Sequence, residues 1–234
     1  MTKTKSDRPI HVFIPAYNEE ENIGEVIKGL QQLQLSLKLY VIDDGSTDKT
    51  AEEASKAGAT VIRHLVNLGG GAAIRTAFAL ALLNGADNVV TLDGDGQHDP
   101  KELQCIVEAA KNGGDLVVGS RFLREQELEM PFYRHIGIRF FSWLMSRLVA
   151  MRITDATSCY RAYKTAAIKR VFPKLRENQY YGLEVLMRMG ESKAKIVEVP
   201  ITSKSRNKGK SKKGIIKYAY NLLRTLVENG FHQS

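Results

Sequence analysis

The stretch that decides the fold is residues 88–98, Asn-Val-Val-Thr-Leu-Asp-Gly-Asp-Gly-Gln-His, in which a short apolar run leads into two aspartates. A second run of this kind, residues 39–46, reads Leu-Tyr-Val-Ile-Asp-Asp-Gly-Ser. Short apolar runs bounded by turn residues predict buried strands. Ligands of open α/β sheets sit beyond the carboxyl ends of the strands, so both acidic clusters are expected around one crevice.

Outward from these two runs, the first half of the chain alternates strand-like and helix-like segments. Strands are predicted over residues 10–15, 39–43, 60–63, 88–92 and 116–119. Helices are predicted over residues 19–33 and 49–57, from the glycine loop at 69–71 to residue 83, and from Pro100 onward. This alternation predicts an α/β fold whose mostly parallel sheet is covered by helices on both faces.

The second half is less regular. It contains a helical stretch at 133–151, a possible strand at 157–163, a short helix at 182–189, a strand at 196–201, a polar basic loop at 203–213 and a closing amphipathic helix at 215–231. No Pro-, Gly- or Ser-rich linker separates the halves. We therefore predict one domain over 1–234, divided into a first half at 9–125 and a second half at 126–234.

Charge is concentrated at one end of the chain. The sequence has 34 Lys and Arg against 26 Asp and Glu, a formal net charge of +8. Residues 193–234 contain 10 of the basic and 2 of the acidic residues, which leaves 24 of each in the preceding part. A basic end of this kind favours phosphate groups, whether of a nucleotide, a nucleic acid or an anionic membrane surface.

The composition also excludes several classes of protein. The two cysteines, Cys105 and Cys159, are too few for a disulfide framework and fit a reducing cytosol. The N-terminus lacks the apolar core of a signal peptide. No window reaches the roughly 18 uncharged apolar residues of a spanning helix, so a membrane role is expected to be peripheral.

The two acidic clusters place several carboxylates around one crevice. Such groups repel each other unless a divalent cation or a ribose hydroxyl removes the cost. The alternative is that these aspartates only cap helices and shape turns, since Asp-Gly is turn chemistry. Two clusters at strand ends favour the ligand site over the alternative.

An ordered set of motifs resembles family 2 inverting glycosyltransferases. Residues 12–20, Val-Phe-Ile-Pro-Ala-Tyr-Asn-Glu-Glu, are similar to the opening signature, and residues 43–46 and 93–95 to the second and third. The match continues through residues 67–73, 119–121, 154–155 and 199–201, and through Arg206, Gly209 and Ser211, so that it covers about residues 10–215. Within the family, the sequence most resembles the dolichyl-phosphate mannose synthase group, which moves a sugar from a nucleotide to a polyprenyl phosphate.

This resemblance implies the GT-A fold, with the donor bound by the first half of the chain. It assigns the nucleobase and ribose pocket to Pro15, Ala16, Tyr17 and Glu19, with Asp43 facing the base or ribose and Asp44 as a further nucleotide-binding residue. It assigns the diphosphate to Asp93 and Asp95 through Mg2+ or Mn2+, with Gln97 as a further metal ligand and Arg206 as a contact from the basic loop.

The resemblance assigns the acceptor side to the second half. Ser120, Arg121 and Arg134 would bind the acceptor phosphate, for which a guanidinium fork is suited. Asp155 would either orient an acceptor-site arginine or serve as a turn residue, and the roles of Arg139 and Arg161 stay open. Together with Asp93 and Asp95, we expect Arg121 and Asp155 to be the catalytic set.

Two positions depart from the family pattern. The glycine loop has Gly70 where the family often has Lys, and residues 158–160 read Ser-Cys-Tyr in place of Ser-Gly-Phe. The glycine loop also lacks the G-x-G-x-x-G spacing and follows the third strand, which argues against a dinucleotide-binding dehydrogenase. The five histidines, including His98, form no recognisable metal cluster and are interpreted as ordinary.

The sequence is thus expected to be a metal-dependent inverting transferase that moves a sugar from GDP-mannose or a UDP-hexose to polyprenyl phosphate. One alternative is a hydroxyl acceptor on a glycan or protein. Another is a non-catalytic module that binds a sugar nucleotide or a nucleic acid. The basic loop has no aromatic residue to stack on bases, so nucleic acid is not expected. The helices at 133–151 and 215–231 are expected to hold a cytoplasmic protein at the inner face of the membrane. The alternative is that the apolar sides of these helices are only core against the sheet.

Overall fold

The acidic run at residues 88–98 begins on the middle strand of a seven-stranded sheet. The structure is a computed structural model that describes residues 8–124, 130–176 and 181–202. The strands are β1 (Ile10–Ala16), β2 (Leu37–Asp43), β3 (Thr60–Arg63), β4 (Asn88–Thr91), β5 (Leu116–Ser120), β6 (Arg161–Lys164) and β7 (Ile196–Pro200). Their order in the sheet is β3-β2-β1-β4-β6-β5-β7.

The sheet is parallel except for one strand. β1 pairs in parallel with β2 and β4, β2 with β3, and β5 with β7, whereas β6 runs antiparallel to both β4 and β5. The predicted strand at 157–163 was wrong in its start, because residues 155–159 form a loop and β6 begins at Arg161. In that loop, side-chain hydrogen bonds take the place of strand pairing.

Seven α-helices cover the described sheet. They are α1 (Ile23–Gln31), α2 (Thr50–Lys56), α3 (Gly70–Leu83), α4 (Leu103–Lys111), α5 (Phe132–Leu148), α6 (Thr165–Val171) and α7 (Tyr181–Glu191). Pro100 opens a short 3-10 turn before α4, in which the Asp99 side chain accepts a hydrogen bond from the Lys101 amide. The first helix begins at Ile23 rather than at the predicted residue 19, because residues 18–20 hydrogen-bond to the loop after β2. The sequence interpretation missed α6.

Both faces of the sheet are covered, as predicted. Successive strand residues point to opposite faces, so Phe13 packs with α3, α5, α6 and α7 while its neighbour Ile14 packs with α1, α2 and α4. Both side chains are fully buried. The two cores leave the carboxyl ends of the strands as the open edge, which is where the polar motifs lie.

Two further expectations from the sequence concern the two cysteines and the membrane. Both cysteines are free thiols. Among the helices of residues 8–124, 130–176 and 181–202, none combines the length and the apolar character that a membrane span needs.

Candidate active site

The loops after β1 and β2 are joined into one wall at the end of the sheet. The Asn18 amide donates to Ser46 Oγ at 2.9 Å, and the Thr47 amide donates to Asn18 Oδ1 at 2.8 Å. The Glu19 amide donates to Thr50 Oγ1 at 2.7 Å. Asn18 accommodates this with a positive φ of 54°, which asparagine tolerates better than most residues. The wall contains the predicted nucleotide-contacting residues Pro15, Ala16, Tyr17 and Glu19.

Asp43 ends β2 as a fully buried carboxylate. Its Oδ1 accepts the Ser46 amide at 3.0 Å, and Arg63 Nε lies 3.1 Å from its Oδ2 as an ion pair without good hydrogen-bond alignment. Arg63 also donates from Nη2 to the Ser46 carbonyl at 2.7 Å. The sequence interpretation missed Arg63, although Asp43 and Arg63 are register partners at the ends of two adjacent strands that were both predicted.

Asp44, the next residue, faces the glycine loop. Its Oδ2 accepts the Gly69 amide at 2.7 Å, and its Oδ1 accepts the Leu68 amide at 3.0 Å. His64 Nδ1 lies 2.7 Å from the same Oδ1, and His64 Nε2 lies 2.9 Å from Thr76 Oγ1 on α3. The Asp44 carboxylate, predicted to bind the nucleotide, therefore holds the loop before α3. The sequence interpretation missed its partner His64.

Gly45 explains how two aspartates in a row can face different partners. Its φ of 73° lies in the left-handed region, and a Cβ at this position would lie 2.4 Å from the carbonyl carbon of Val66. Only glycine allows this turn and this close approach of the two loops.

The Asp-Gly-Asp motif follows β4 on the same open edge. Gly94 packs against β1 and α1, since a Cβ there would lie 3.1 Å from Ile23 Cδ1 and 3.4 Å from Ala16 Cβ. Asp93 and Asp95 are partly exposed, and Asp95 Oδ1 accepts the Gln97 amide at 3.1 Å. Within the described part of the chain, Asp93 has no lysine or arginine as an ion-pair partner.

The chemistry of this motif fits a divalent cation that is shared with a ligand. Carboxylate and amide oxygens are the donors that Mg2+ and Mn2+ prefer. In the residues that the structure describes, no three His, Cys, Asp or Glu side chains converge as a complete site. A cation held by Asp93, Asp95 and Gln97 would thus take its remaining ligands from water or from a bound diphosphate.

Arg121 and Asp155 form a buried ion pair at the end of β5. Arg121 Nε and Nη2 donate to the two oxygens of Asp155 at 2.6 and 2.9 Å, and Nη2 also donates to Thr157 Oγ1 at 2.8 Å. Burial acts to raise the pKa of Asp155, but the charge and hydrogen bonds of Arg121 outweigh it and leave that pKa below its usual value. Of the two roles open for Asp155, the geometry favours orienting an arginine. Ser120 Oγ lies 2.6 Å from Thr154 Oγ1 in the adjacent contact.

The other three arginines considered from the sequence differ in position. Arg161 is fully buried and donates to the carbonyls of Ser158, Gly182 and Ala156 at 2.7 to 2.8 Å. These bonds hold the loop after Asp155, so Arg161 is not available to an acceptor phosphate. Arg134 and Arg139 are exposed on α5.

His98 lies where the metal motif and the arginines come together. Burial lowers its pKa to about 4, and the charges of Asp93, Arg121, Asp155 and Arg134 all act on it. Its Nδ1 is buried without a hydrogen-bond partner among the described residues. The interpretation of His98 as ordinary is therefore incomplete. The sequence did contain a signal for a role of His98 in the site, namely its position five residues after Asp93.

The predicted basic loop at 203–213, with Arg206, and the helix at 215–231 lie outside the described residues. The described chain ends at Thr202, close to Ser120, because the Ile201 amide donates to the Ser120 carbonyl at 2.9 Å.

Comparisons with known proteins identify the family of the chain. The family model described as "Glycosyl transferase family 2" matches residues 11–172. A UDP-N-acetylglucosamine–dolichyl-phosphate N-acetylglucosaminyltransferase of Methanococcus voltae is 33% identical over 84% of this chain and 86% of its own length. An undecaprenyl-phosphate mannosyltransferase of Micrococcus luteus is 32% identical over 86% of this chain and 85% of its own length.

The fold is also found in a solved structure. Glucosyl-3-phosphoglycerate synthase from Mycobacterium tuberculosis, in complex with Mn2+, UDP and glucosyl-3-phosphoglycerate, superimposes with a TM-score of 0.74 at 20% identity. The match covers 96% of this chain and 80% of that one. At this identity the likeness concerns the fold alone.

Proposed function

Since the chain belongs to glycosyl transferase family 2, we propose that it transfers a sugar from a nucleotide sugar to a polyprenyl phosphate. The chain is a glycosyltransferase with the GT-A fold. The two relatives described above carry different sugars in their names but share a polyprenyl phosphate acceptor. The shared acceptor supports polyprenyl phosphate as the acceptor of this chain, whereas the different sugars single out no one donor.

One observation carries the proposal. The ion pair of Arg121 with Asp155 holds a guanidinium rigidly at the end of β5, and the charges of both Asp93 and Arg121 act on the pKa of the buried His98. The site thus has an anionic, metal-binding part for the donor diphosphate next to a cationic part for a second phosphate. A transferase that moves a sugar from a nucleoside diphosphate to an acceptor phosphate needs both parts side by side.

The donor would occupy the wall built from the loops after β1 and β2. Pro15, Ala16, Tyr17 and Glu19 would line the nucleobase and ribose. Asp43, predicted to face the base or ribose, has a fully buried carboxylate and would instead support this wall through Arg63 and the Ser46 amide. We propose that Asp44 acts on the donor only through the glycine loop, because its oxygens are hydrogen-bonded there. GDP-mannose, UDP-glucose and UDP-N-acetylglucosamine are the candidate donors.

The acceptor explains why no general base is required. The second pKa of a phosphate monoester is about 6, so the acceptor is mostly dianionic at neutral pH and is already a nucleophile. One of its oxygens attacks the anomeric carbon while the bond from that carbon to the donor diphosphate breaks, with inversion at the carbon. Arg121, with Ser120 and Arg134, would place the attacking phosphate.

The leaving diphosphate gains negative charge as the bond breaks. Asp93, Asp95 and Gln97 would hold Mg2+ or Mn2+, which when bound neutralises this charge. Arg206, beyond the described residues, would add a positive charge at the diphosphate from the basic loop. Asp155 would keep Arg121 in one orientation, and no proton transfer to Asp155 is needed because the acceptor phosphate is already dianionic.

The lipid acceptor requires access to a membrane, and α5 offers a surface for it. Phe132, Ile136, Phe140 and Trp143 recur with helical spacing and are 77%, 53%, 48% and 54% exposed. Their opposite side packs into the core through buried Ile138, Phe141 and Met145. The sequence left open whether the apolar side of this helix was only core, and the structure has apolar residues on both sides. We propose that the exposed side docks at the cytoplasmic surface of the membrane.

The test is incubation of the pure protein with a panel of radiolabelled sugar nucleotides, a divalent metal and a polyprenyl phosphate, followed by lipid extraction. We expect label in the lipid fraction with one donor, and none with an Asp95→Ala variant. Label that appears only on added glycan or protein hydroxyls would replace this proposal with the alternative acceptor. Donor binding without any transfer would favour a non-catalytic binding module.

A further inference from the structure

We propose that Glu198 on β7 is a positioning residue that fixes Arg121 in the acceptor site through Thr154 and Asp155. The inference concerns a contact chain in the fold, and only its kinetic consequence rests on the proposed function. Glu198 belongs to none of the sites predicted from the sequence.

The first link joins Glu198 to the loop that contains Asp155. Glu198 Oε1 accepts the amides of Thr154 and Asp155, both at 3.0 Å. Glu198 Oε2 accepts the Thr154 amide at 2.8 Å and the Thr154 hydroxyl at 2.9 Å. Both carboxylate oxygens are therefore used, and both amides at the start of the loop are held by one side chain from a distant part of the sequence.

The second link joins this loop to Arg121. Asp155 receives Nε and Nη2 of Arg121, and its Oδ2 also accepts the Arg121 amide at 3.2 Å. The guanidinium is planar, so engaging its Nε–Nη2 edge fixes the direction of the whole group. Any shift of the Asp155 backbone would therefore rotate or release the arginine.

The strand arrangement makes the contact chain stiff. β7 pairs in parallel with β5, with Val118 opposite Glu198 and Ser120 opposite Pro200. Glu198 thus lies on β7, and Arg121 directly follows the neighbouring strand β5. Ser120 closes the loop from the other side, because its hydroxyl lies 2.6 Å from Thr154 Oγ1.

The electrostatics favour a positioning role over simple packing. Glu198 is partly buried close to a second carboxylate, and burial raises its pKa, with the charge of Asp155 adding to the effect and the loop amides opposing it. The carboxylates of Glu198 and Asp155 repel each other, so packing alone does not favour placing them close together. Their placement is accounted for by the hydrogen bonds, since one carboxylate orders the backbone and the other orders the guanidinium.

Two substitutions at Glu198 test its acceptor oxygens and its side-chain length separately. In Glu198→Gln, the side-chain amide nitrogen is a donor and would face the backbone amide of Thr154, which donates to Oε2 in the wild type. In Glu198→Asp, the charge is kept but the side chain is one methylene too short to reach both amides.

Glu102→Gln is the matched control. Glu102 holds Thr202, two residues after the end of β7, because its Oε1 alone accepts the Thr202 amide at 2.7 Å and the Thr202 hydroxyl at 3.0 Å. A glutamine keeps that acceptor oxygen, so this variant changes a half-buried glutamate near β7 without breaking the bonds it makes to Thr202.

The deciding measurement is hydrogen exchange at the Nε–H of Arg121 in arginine-labelled protein, with the resonance assigned by its loss in Arg121→Lys. We expect slow exchange in the wild type and in Glu102→Gln, and exchange at least about tenfold faster in both Glu198 variants, because local opening sets the rate. Since two variants are used, one that fails to fold leaves the other to decide. Unchanged exchange in a folded Glu198 variant would overturn the proposal.

The kinetic measurement adds the functional consequence. We expect the KM for polyprenyl phosphate to rise at least about tenfold in the Glu198 variants while the KM for the nucleotide sugar stays the same, because only the acceptor side loses its alignment. An equal rise in the KM for polyprenyl phosphate and in the KM for the nucleotide sugar would overturn the positioning role in the acceptor site. If the wild type transfers no sugar to the lipid, the proposed function fails, and the exchange rates still decide the contact chain.

Discussion

Two adjacent aspartates, Asp43 and Asp44, end the same strand but have different partners. Asp43 pairs with Arg63 and the Ser46 amide, whereas Asp44 accepts the amides of the glycine loop. A carboxylate whose oxygens accept backbone amides at 2.7 to 3.0 Å is committed to the fold. At the scale of single residues, hydrogen-bond partners therefore separate residues that shape the site from residues that face a ligand.

Asp95 belongs to the residues that we expect to face a ligand. In Asp95→Ala, metal-dependent nucleotide binding should weaken by more than about tenfold, since even the partners behind metal ligands contribute that much. Calorimetry with UDP and GDP, with and without Mn2+, measures the effect. Asp115→Asn, at the opposite end of β5, is the control and should bind as the wild type does. Metal-dependent affinity that survives in Asp95→Ala would contradict the predicted site.

His11 makes a prediction about stability and pH. The side chain is buried on β1, and burial, followed by the charge of Lys38, lowers its pKa. As the pH falls below about 6.5, the unfolded chain takes up a proton that folded His11 does not, so the free energy of unfolding decreases. Above that pH the group is neutral in both states and contributes no slope.

Urea unfolding of the wild type and His11→Gln at about pH 7.5 and pH 5.5 checks this prediction. The wild type should lose more stability between the two pH values than the variant does. His135→Gln, a partly exposed histidine on α5, is the control and should keep the wild-type slope. The same loss in the wild type and in His11→Gln would show that His11 does not titrate as expected.

At the scale of elements, α5 is unusual because it presents apolar side chains on two sides. Ile138, Phe141 and Met145 pack into the core, while Phe132, Ile136, Phe140 and Trp143 face outward. The Arg147 guanidinium lies 5.8 Å from the centre of the Trp143 ring, a cation–π contact at the end of this stripe. Aromatic and basic side chains on one helix face suit the boundary of an anionic bilayer.

We therefore expect the protein to float with anionic liposomes at low salt and less at high salt, because basic contacts are screened over about 10 Å at 0.1 M. Phe140→Ser and Trp143→Ser should each weaken flotation. Leu83→Ser, at a leucine on α3 that is 82% exposed, is the matched control and should not. A wild type that stays in the soluble fraction at both salt concentrations would leave the lipid acceptor without a route to the enzyme.

At the scale of the whole molecule, the second half of the chain completes the sheet begun by the first. β5 comes from the first half, but its strand partners are β6 and β7, and β6 also stands between β5 and β4. The residues that we propose to bind the two substrates are thus carried by strands that are distant in sequence. The single domain over residues 1–234 stays a prediction.

A fragment of residues 9–125 tests that prediction. Without β6 and β7, β5 has no strand to pair with in the described sheet, and the core side that α5, α6 and α7 cover is exposed. We expect the fragment to lack the cooperative urea transition that the full chain shows. A sharp transition with near-ultraviolet circular dichroism in the fragment would instead indicate two separable domains.

Much of the fold could be predicted because local patterns carry it. The five strands of the first half lie within about two residues of their predicted bounds, since short buried runs bounded by turn residues encode strands directly. The Asp93–Asp95 motif and Arg121 follow strand ends, so a parallel sheet brings them to one edge. The start of α1 and the helix α6 were missed, because side-chain contacts between loops and a short helix leave weak local signals.

The sequence by itself thus determined the class of fold, the edge of the sheet that carries the site and the family to which the chain belongs. Only the tertiary structure decided that β6 is antiparallel, that Arg161 is buried, that His98 is buried where the charges of Asp93 and Arg121 both act on it, and that Glu198 holds the loop of Asp155. The physical reason is that strand periodicity is encoded by neighbours in sequence. Burial and hydrogen-bond partners depend on residues that are tens of positions away and meet only when the sheet is complete.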